Sequence, residues 1–192
     1  MRKVIFKIEL TLDGFIAGPN GEMDWGTPTF GAAENWKHVF EMLSTVDTVL
    51  MSRVIYELFK AFWPAQATNP SSSDSEKEFS RWLDNTPKVV FSKTLTSVDW
   101  MHSRLVTGDV GTEIALLKQQ PGKNLVLWGG SRFPQALMNL GLIDEYRINV
   151  HPVVLGSGKL LFTDVRNRVP LSLVSSKTFA SGTVGLCYQP KA

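Results

Sequence analysis

The sequence predicts an α/β fold, a central and mostly parallel sheet with helices on both faces and an antiparallel C-terminal edge. Three observations carry that prediction. Short apolar, β-branched runs alternate with helical patterns from residue 3 to residue 140, the signature of parallel strands joined by crossover helices. The last ~50 residues read as strand, turn, strand, turn, strand with no helical period, which suits an antiparallel edge. Between these regions, Leu125-Val-Leu-Trp-Gly-Gly-Ser-Arg-Phe-Pro134 runs a strand into a Gly-Gly turn and at once into an amphipathic helix.

The elements follow in order. Residues 3–12 alternate as a strand and end at the turn dipeptide Asp13-Gly14. Residues 15–31 hold four glycines, two prolines and Trp25, which predicts a loop long enough to be functional. Over 34–44, Trp36, Val39, Phe40 and Leu43 fall at helical spacing. Residues 48–51 form a strand, and Ser52 caps a helix that runs to about Phe62. Residues 64–74, rich in Pro, Ser, Thr and Asn, read as a surface loop, and 75–84 as a short charged helix. Strands follow at 88–91 and 104–107, then a helix over 111–120 stopped by Pro121-Gly122. The strand at 125–128 and a helix closed by Gly141 complete the alternation. No repeat or boundary divides residues 1–192, so a single domain is expected.

The chemistry gathers where strands end. In an open α/β sheet, ligands bind at the carboxyl ends of the strands. The turns after residues 12, 51, 91 and 128 contain Asp13, Gly14, Ser52, Arg53, Ser92, Lys93, Gly129, Gly130, Ser131 and Arg132. The first turn of a helix leaves N–H groups unpaired and carries partial positive charge, so the Gly-Gly turn is a ready anion site for a nucleotide pyrophosphate. Glycine lets a phosphate approach the backbone, Ser131 is placed to cap the helix, and Pro134 is tolerated in its first turn. A plain strand-to-helix turn without a ligand is the competing reading. Arg53 opens a helix whose dipole opposes a cation, which favours an anionic partner for it.

Other function classes are excluded. The net charge is only +2, with the basic residues scattered, so no nucleic-acid partner is expected. Cys187 is the only cysteine; no internal disulfide can form, the residue reads as packing, and a reducing compartment is implied. No run is long and apolar enough for a signal peptide or a bilayer span, so a cytoplasmic protein with no membrane partner is expected. His38, His102 and His151 share no metal-ligand spacing, and no metal is expected. Gly156-Ser-Gly-Lys159 lacks the remaining glycine and the hydroxyl of a phosphate loop and reads as a β-turn.

Six dispersed stretches then carry a resemblance over nearly the whole chain: Thr11-Leu-Asp-Gly-Phe-Ile-Ala17, Glu22-Met-Asp-Trp25 close to Pro28, Met51-Ser-Arg-Val-Ile-Tyr-Glu57, Val90-Phe-Ser-Lys93, Leu127-Trp-Gly-Gly-Ser-Arg132 and His151-Pro-Val-Val-Leu-Gly156. In order and spacing the chain resembles the dihydrofolate reductase superfamily. It is most similar to the reductase of riboflavin biosynthesis, the RibD C-terminal domain. The resemblance implies a dihydrofolate reductase-like fold and NADPH as cofactor. By position, Ile16 and Ala17 offer backbone groups to the nicotinamide carboxamide. Arg53 meets the 2′-phosphate with Ser52, Ser92 and Lys93 nearby. Gly129, Gly130, Ser131 and Arg132 hold the pyrophosphate between Trp128 and Phe133.

Two departures stand out. Ser52 replaces the usual glycine, and Ile55 replaces a phosphate-binding threonine. Losing that hydroxyl removes a charge-assisted hydrogen bond of about 1.5–3 kcal/mol where buried. The carboxylate slot of the folate enzymes falls on Trp36, with Glu34 the nearest acid, which argues against folate reduction.

The expected activity is hydride transfer from NADPH to a small nitrogen heterocycle or related carbonyl compound, resembling 5-amino-6-(5-phosphoribosylamino)uracil reductase. Segment 18–31 serves as lid, Trp25 and Asp13 face the substrate, and Asp24 or Glu34 supplies the proton. The apolar C-terminal strands suggest a homodimer, as the resemblance also implies. The alternative is a non-catalytic dinucleotide-binding or interaction protein on the same fold.

Overall fold

A computed structural model describes residues 1–191; the side chains of Thr27 and Pro28, the latter beside the second motif, lie outside the described residues. The run Val4–Thr11 forms β1 in the middle of an eight-stranded sheet. On one side lie β6 (Asn124–Trp128), β3 (Val46–Ser52), β4 (Lys88–Phe91) and β5 (Ser103–Val106). On the other lie β7 (Glu145–His151), β10 (Val184–Pro190) and the edge strand β9 (Leu171–Thr178). Every pair from β5 to β7 is parallel, and β10 runs antiparallel to both β7 and β9. A two-stranded ribbon, β2 (Phe15–Ala17) with β8 (Lys159–Leu160), completes the strands.

The pleat sorts β1 into two cores. Val4, Phe6, Ile8 and Leu10 point to one face and pack with Ile114 and Leu117 of α5 (Val110–Gln119) and Leu137 and Met138 of α6 (Arg132–Asn139). Ile5 points to the other face and joins Val39, Met42 and Leu43 of α2 (Ala33–Leu43). The same cluster takes Ile55 and Tyr56 of α3 (Arg53–Gln66) and Phe79 and Leu83 of α4 (Asp74–Asn85). Helices therefore cover both faces, as predicted. Burial on both faces is also why these strands read as near-continuous apolar runs.

Three elements depart from the expectation. The 15–31 loop is partly regular, with β2, a 3-10 turn at Asp24–Gly26 and the one-turn helix α1 (Thr27–Phe30). The helix expected to end near Phe62 continues through Pro64 to Gln66. Tertiary packing wins over the proline there: the Trp63 ring lies 4.6 Å from Phe79, centroid to centroid, and the Ser80 hydroxyl donates to the Trp63 carbonyl at 2.7 Å. Finally, between β7 and β9 the chain makes a long connection in which β8 is the only strand.

That connection returns to Ala17 and Gly18 through Gly158, whose φ of +146° disfavours a side chain. A Cβ there would sit 2.2 Å from the Ala17 carbonyl oxygen and 3.1 Å from Gly18 Cα, and backbone cannot yield as a flexible side chain does. Gly158→Ala is expected to cost about 2 kcal/mol or more, lowering Tm by at least ~4 °C for a chain of this size. Gly31→Ala, at φ −82° with nothing within 4 Å, is the control and should melt like the parent protein.

Candidate functional site

Because β4, β3, β6, β1 and β7 are mutually parallel, their carboxyl ends share one edge. The turn at the centre of that edge has Gly129 at φ +65° and Gly130 at φ +76°. Both lie in the left-handed region that glycine enters without penalty. The Gly129 N–H donates to the Lys7 carbonyl at 3.1 Å, fastening the turn to β1. Ile55 closes its other side: a Cβ at Gly129 would meet Ile55 Cδ1 at 3.3 Å, and one at Gly130 would meet Ile55 Cγ1 at 3.4 Å. The expected Ser131 cap is not made. Ser131 lies at φ −119°, ψ −61° rather than in the extended conformation of an N-cap, and its side chain makes no capping hydrogen bond. The helix dipole at this end of α6 therefore meets no capping oxygen.

The other residues assigned to the cofactor divide by what already occupies them. Ser52 is extended at φ −75°, ψ 164°, and its hydroxyl accepts from the Ile55 N–H at 3.4 Å, so it caps α3 as predicted. Arg53 has an anionic partner within the chain: its Nη1 lies 3.2 Å from both oxygens of Glu57, one helical turn on. Such an exposed i,i+4 pair is worth only about 0.3–0.5 kcal/mol, so a phosphate competes with it easily. The Ser92 hydroxyl accepts from the N–H groups of Thr94 (3.1 Å) and Leu95 (3.0 Å), while Lys93 is exposed. Trp128 and Phe133 leave the turn toward opposite faces. Trp128 packs on Phe79 at 5.1 Å and Phe133 on Phe91 at 4.9 Å, centroid to centroid, so each ring is committed to a core. Ile16 and Ala17 are buried in β2, beneath the start of segment 18–31.

The predicted substrate and proton groups are not gathered in one place. Asp13 is taken up structurally. Its carboxylate accepts from the Thr11 hydroxyl at 2.6 Å, from Leu155 N–H at 3.0 and 3.1 Å and from Gly156 N–H at 2.7 Å, strapping the end of β1 to the loop after β7. The Thr11 hydrogen bond, with those backbone N–H groups, outweighs desolvation and holds the carboxyl at about 2. Glu34 accepts from Ala180 N–H at 2.9 Å and ties α2 to the β9–β10 turn. Asp24 is exposed in its 3-10 turn. The Trp25 ring meets Phe30 at 5.2 Å and His151 at 5.5 Å, both edge-on. Trp36, in the folate carboxylate slot, packs instead among Phe40, Trp63 and Phe79.

What the edge does hold, and sequence reasoning missed, is a charged cluster on the face of α2 and α3. Lys7 and Glu9 of β1 form an ion pair, and Lys7 is 1% exposed. Glu9 Oε2 lies 2.7 Å from His151 Nε2, and Asn149 Nδ2 donates to Glu9 at 3.3 Å. Burial pushes the Glu9 carboxyl up, but the Lys7 charge and hydrogen bonds from His151 and Lys7 prevail and hold it at about 2. Trp25 Nε1, Trp36 Nε1 and Asn35 Oδ1 are buried without a partner among the described residues. The result is a polar floor under an aromatic cover. A signal was present: Lys7 and Glu9 interrupt the apolar alternation of a strand buried on both faces, where an unpaired charge is not tolerated.

The RibD C-terminal domain family model matches residues 2–185. The uncharacterized protein YyaP of Bacillus subtilis (strain 168) is 37% identical over 189 residues, 97% of this chain and 94% of that protein. Among solved structures, the diaminohydroxyphosphoribosylaminopyrimidine deaminase/5-amino-6-(5-phosphoribosylamino)uracil reductase of Thermotoga maritima superposes with a TM-score of 0.69 at 19% identity, covering 99% of this chain and 57% of that one. Dihydrofolate reductase of Enterococcus faecalis, complexed with NADP(H), gives a TM-score of 0.63 at 14% identity over 99% of this chain and 97% of that one. The fold is dihydrofolate reductase-like.

The Asp13 strap has a pH signature. A carboxyl lowered in the fold from 3.8 to about 2 contributes stability that is complete above its unfolded value and is lost as pH falls through about 2. Asp13→Asn should therefore melt below the parent protein at pH ~7, and the gap should narrow as pH falls from ~4 toward ~2. Thermal melts across that range check it; a gap that does not change with pH contradicts the assignment.

Proposed function

We propose that this chain, which belongs to the RibD C-terminal domain family, is an NADPH-dependent reductase of a small nitrogen heterocycle or a related carbonyl compound. The observation that carries the reading is the left-handed Gly129-Gly130 turn opening α6 at the carboxyl edge of a parallel sheet. Two Cα atoms without side chains and a helix start with no capping oxygen suit a pyrophosphate. Arg132 would stand beside it. Arg53, released from Glu57, would face the 2′-phosphate, with Lys93 near, and Ile16 and Ala17 would present backbone to the carboxamide. When bound, the reduced nicotinamide supplies the hydride. The chain's own part is to exclude water beneath Trp25 and Phe30 and to hold the heterocycle over the Lys7–Glu9 floor. Asp24 is the acid carried on the cover; Asp13 and Glu34, committed to backbone N–H groups, are assigned no proton transfer.

A second reading, dinucleotide binding without turnover, is favoured by one observation. Ile55 presents methyl groups to both glycines, where a hydroxyl would have completed the phosphate shell. We also propose a second copy of the chain as partner at the exposed edge strand β9, where Leu173 and Val174 are each 55% exposed, and the cytoplasm as the place of action.

Calorimetric titration tests the cofactor. NADPH should bind more tightly than NADH, and Arg53→Ala should abolish the preference. Ile55→Thr should tighten NADPH about tenfold, the worth of one restored charge-assisted hydrogen bond. Absence of binding for both nucleotides at ~1 mM, a ceiling of ~4 kcal/mol, would defeat the proposal. Given binding, oxidation of NADPH with pterins or aminopyrimidines separates the reductase from the silent binder.

A further inference from the structure

Among the described residues, segment 18–31 is tied to the main sheet at one polar point. It makes its own turns, with Gly18 N–H donating to the Glu22 carbonyl at 2.9 Å and Gly21 N–H to the Gly18 carbonyl at 3.0 Å. The Asn35 amide donates to the Thr29 carbonyl at 2.6 Å, which links the segment to α2. Among the described residues, the one hydrogen bond from the segment to the eight-stranded sheet joins Thr29 Oγ1 to His151 Nδ1 at 2.6 Å.

His151 is built for that contact. It is the last residue of β7 and is 1% exposed. Glu9, a carboxylate with no proton to give, lies 2.7 Å from Nε2. The ring hydrogen therefore belongs on Nε2, and Nδ1 faces the segment as an acceptor for the Thr29 hydroxyl at 2.6 Å, the shorter of that hydroxyl's two contacts, the Gly26 carbonyl lying at 3.2 Å. Glu9 is in turn held by Lys7 and by Asn149, so the imidazole is fixed in orientation from below. From above, Trp25 and Phe30 meet it edge-on at centroid distances of 5.5 and 4.9 Å. Thr183 Oγ1, 3.4 Å from Nδ1, closes the side toward β10.

We propose that His151 is a positioning residue: through Thr29 and the Trp25 and Phe30 rings it latches segment 18–31 shut over the Lys7–Glu9 floor, and so sets how long a bound nicotinamide nucleotide is retained. The statement about the nucleotide rests on the reductase reading; the latch itself does not.

Hydrogen exchange read by mass spectrometry on the ligand-free protein tests the latch directly. Thr29→Val keeps the side-chain shape and removes the hydroxyl. It should speed exchange across 18–31 about tenfold, the worth of one lost hydrogen bond to a locally opening segment, while β6 and α5 exchange as in the parent protein. His151→Phe should do the same, and the double variant should exchange no faster than the faster single one. Exchange in Thr29→Val within about twofold of the parent overturns the latch, since an opening free energy changed by less than one weak hydrogen bond leaves no role for it. That arm stands even where His151→Phe fails to fold. Stopped-flow release of NADPH from Thr29→Val should be faster by a similar factor with association unchanged. Equal release rates would overturn the retention role, whereas a parent protein that binds no NADPH would defeat the reductase reading and leave exchange alone to judge the latch.

Discussion

A buried ammonium must have a partner, and the arrangement around Lys7 organises the centre of this protein. Lys7 lies on the middle strand, is almost wholly enclosed, and is balanced by Glu9 two residues along the same face. Glu9 in turn requires donors, and His151 and Asn149 supply them from β7. Removing one member of such a buried set costs about 3–5 kcal/mol, because the others are left uncompensated. The cluster thus pins β1 to β7, fixes the imidazole and determines what kind of floor the cover closes on.

The glycine turn and the charged cluster are two consequences of the same strand. The backbone of Lys7 accepts from Gly129, while its side chain pairs with Glu9. One residue therefore links the Gly129-Gly130 turn to the polar floor. A nucleotide whose pyrophosphate lay on the turn, as we propose, would extend its reactive ring along β1 toward Glu9 and His151, against the Trp25 and Phe30 rings. Ile55 is the element that sits awkwardly with this arrangement, since it offers the corner methyl groups in place of a hydroxyl.

Legibility in the sequence followed how local each signal was. Strands and helices whose periodicity was their own, such as Lys88–Phe91 and Val110–Gln119, emerged within a residue or two. So did the Gly-Gly turn, because glycine announces its backbone requirement directly. The passage of α3 across Pro64 was invisible, because it depends on Trp63 meeting Phe79 and Ser80 from another helix. The surroundings of two candidate carboxylates were hidden for a related reason: only the fold shows that backbone N–H groups from Leu155 and Gly156 engage Asp13, and that of Ala180 engages Glu34. Glu9 and His151 lie far apart in the chain and become neighbours through the pairing of β1 with β7. A stricter reading of charge within a doubly buried strand would have flagged Lys7 and Glu9, though not their partner.

The position of β1 also bears on how the chain is made. The central strand β1 pairs with β6 and β7, which follow it far along the chain, through registers such as Val4 with Leu125 and Ile5 with Glu145. Its apolar residues and its buried charges have no native neighbours until most of the polypeptide has been synthesised. Non-local parallel pairing of this kind is intrinsically slow and leaves sticky intermediates exposed. Until β7 has been made, β1 is an unpaired segment apolar on both faces, so this stretch is the one most open to misassociation while the chain folds.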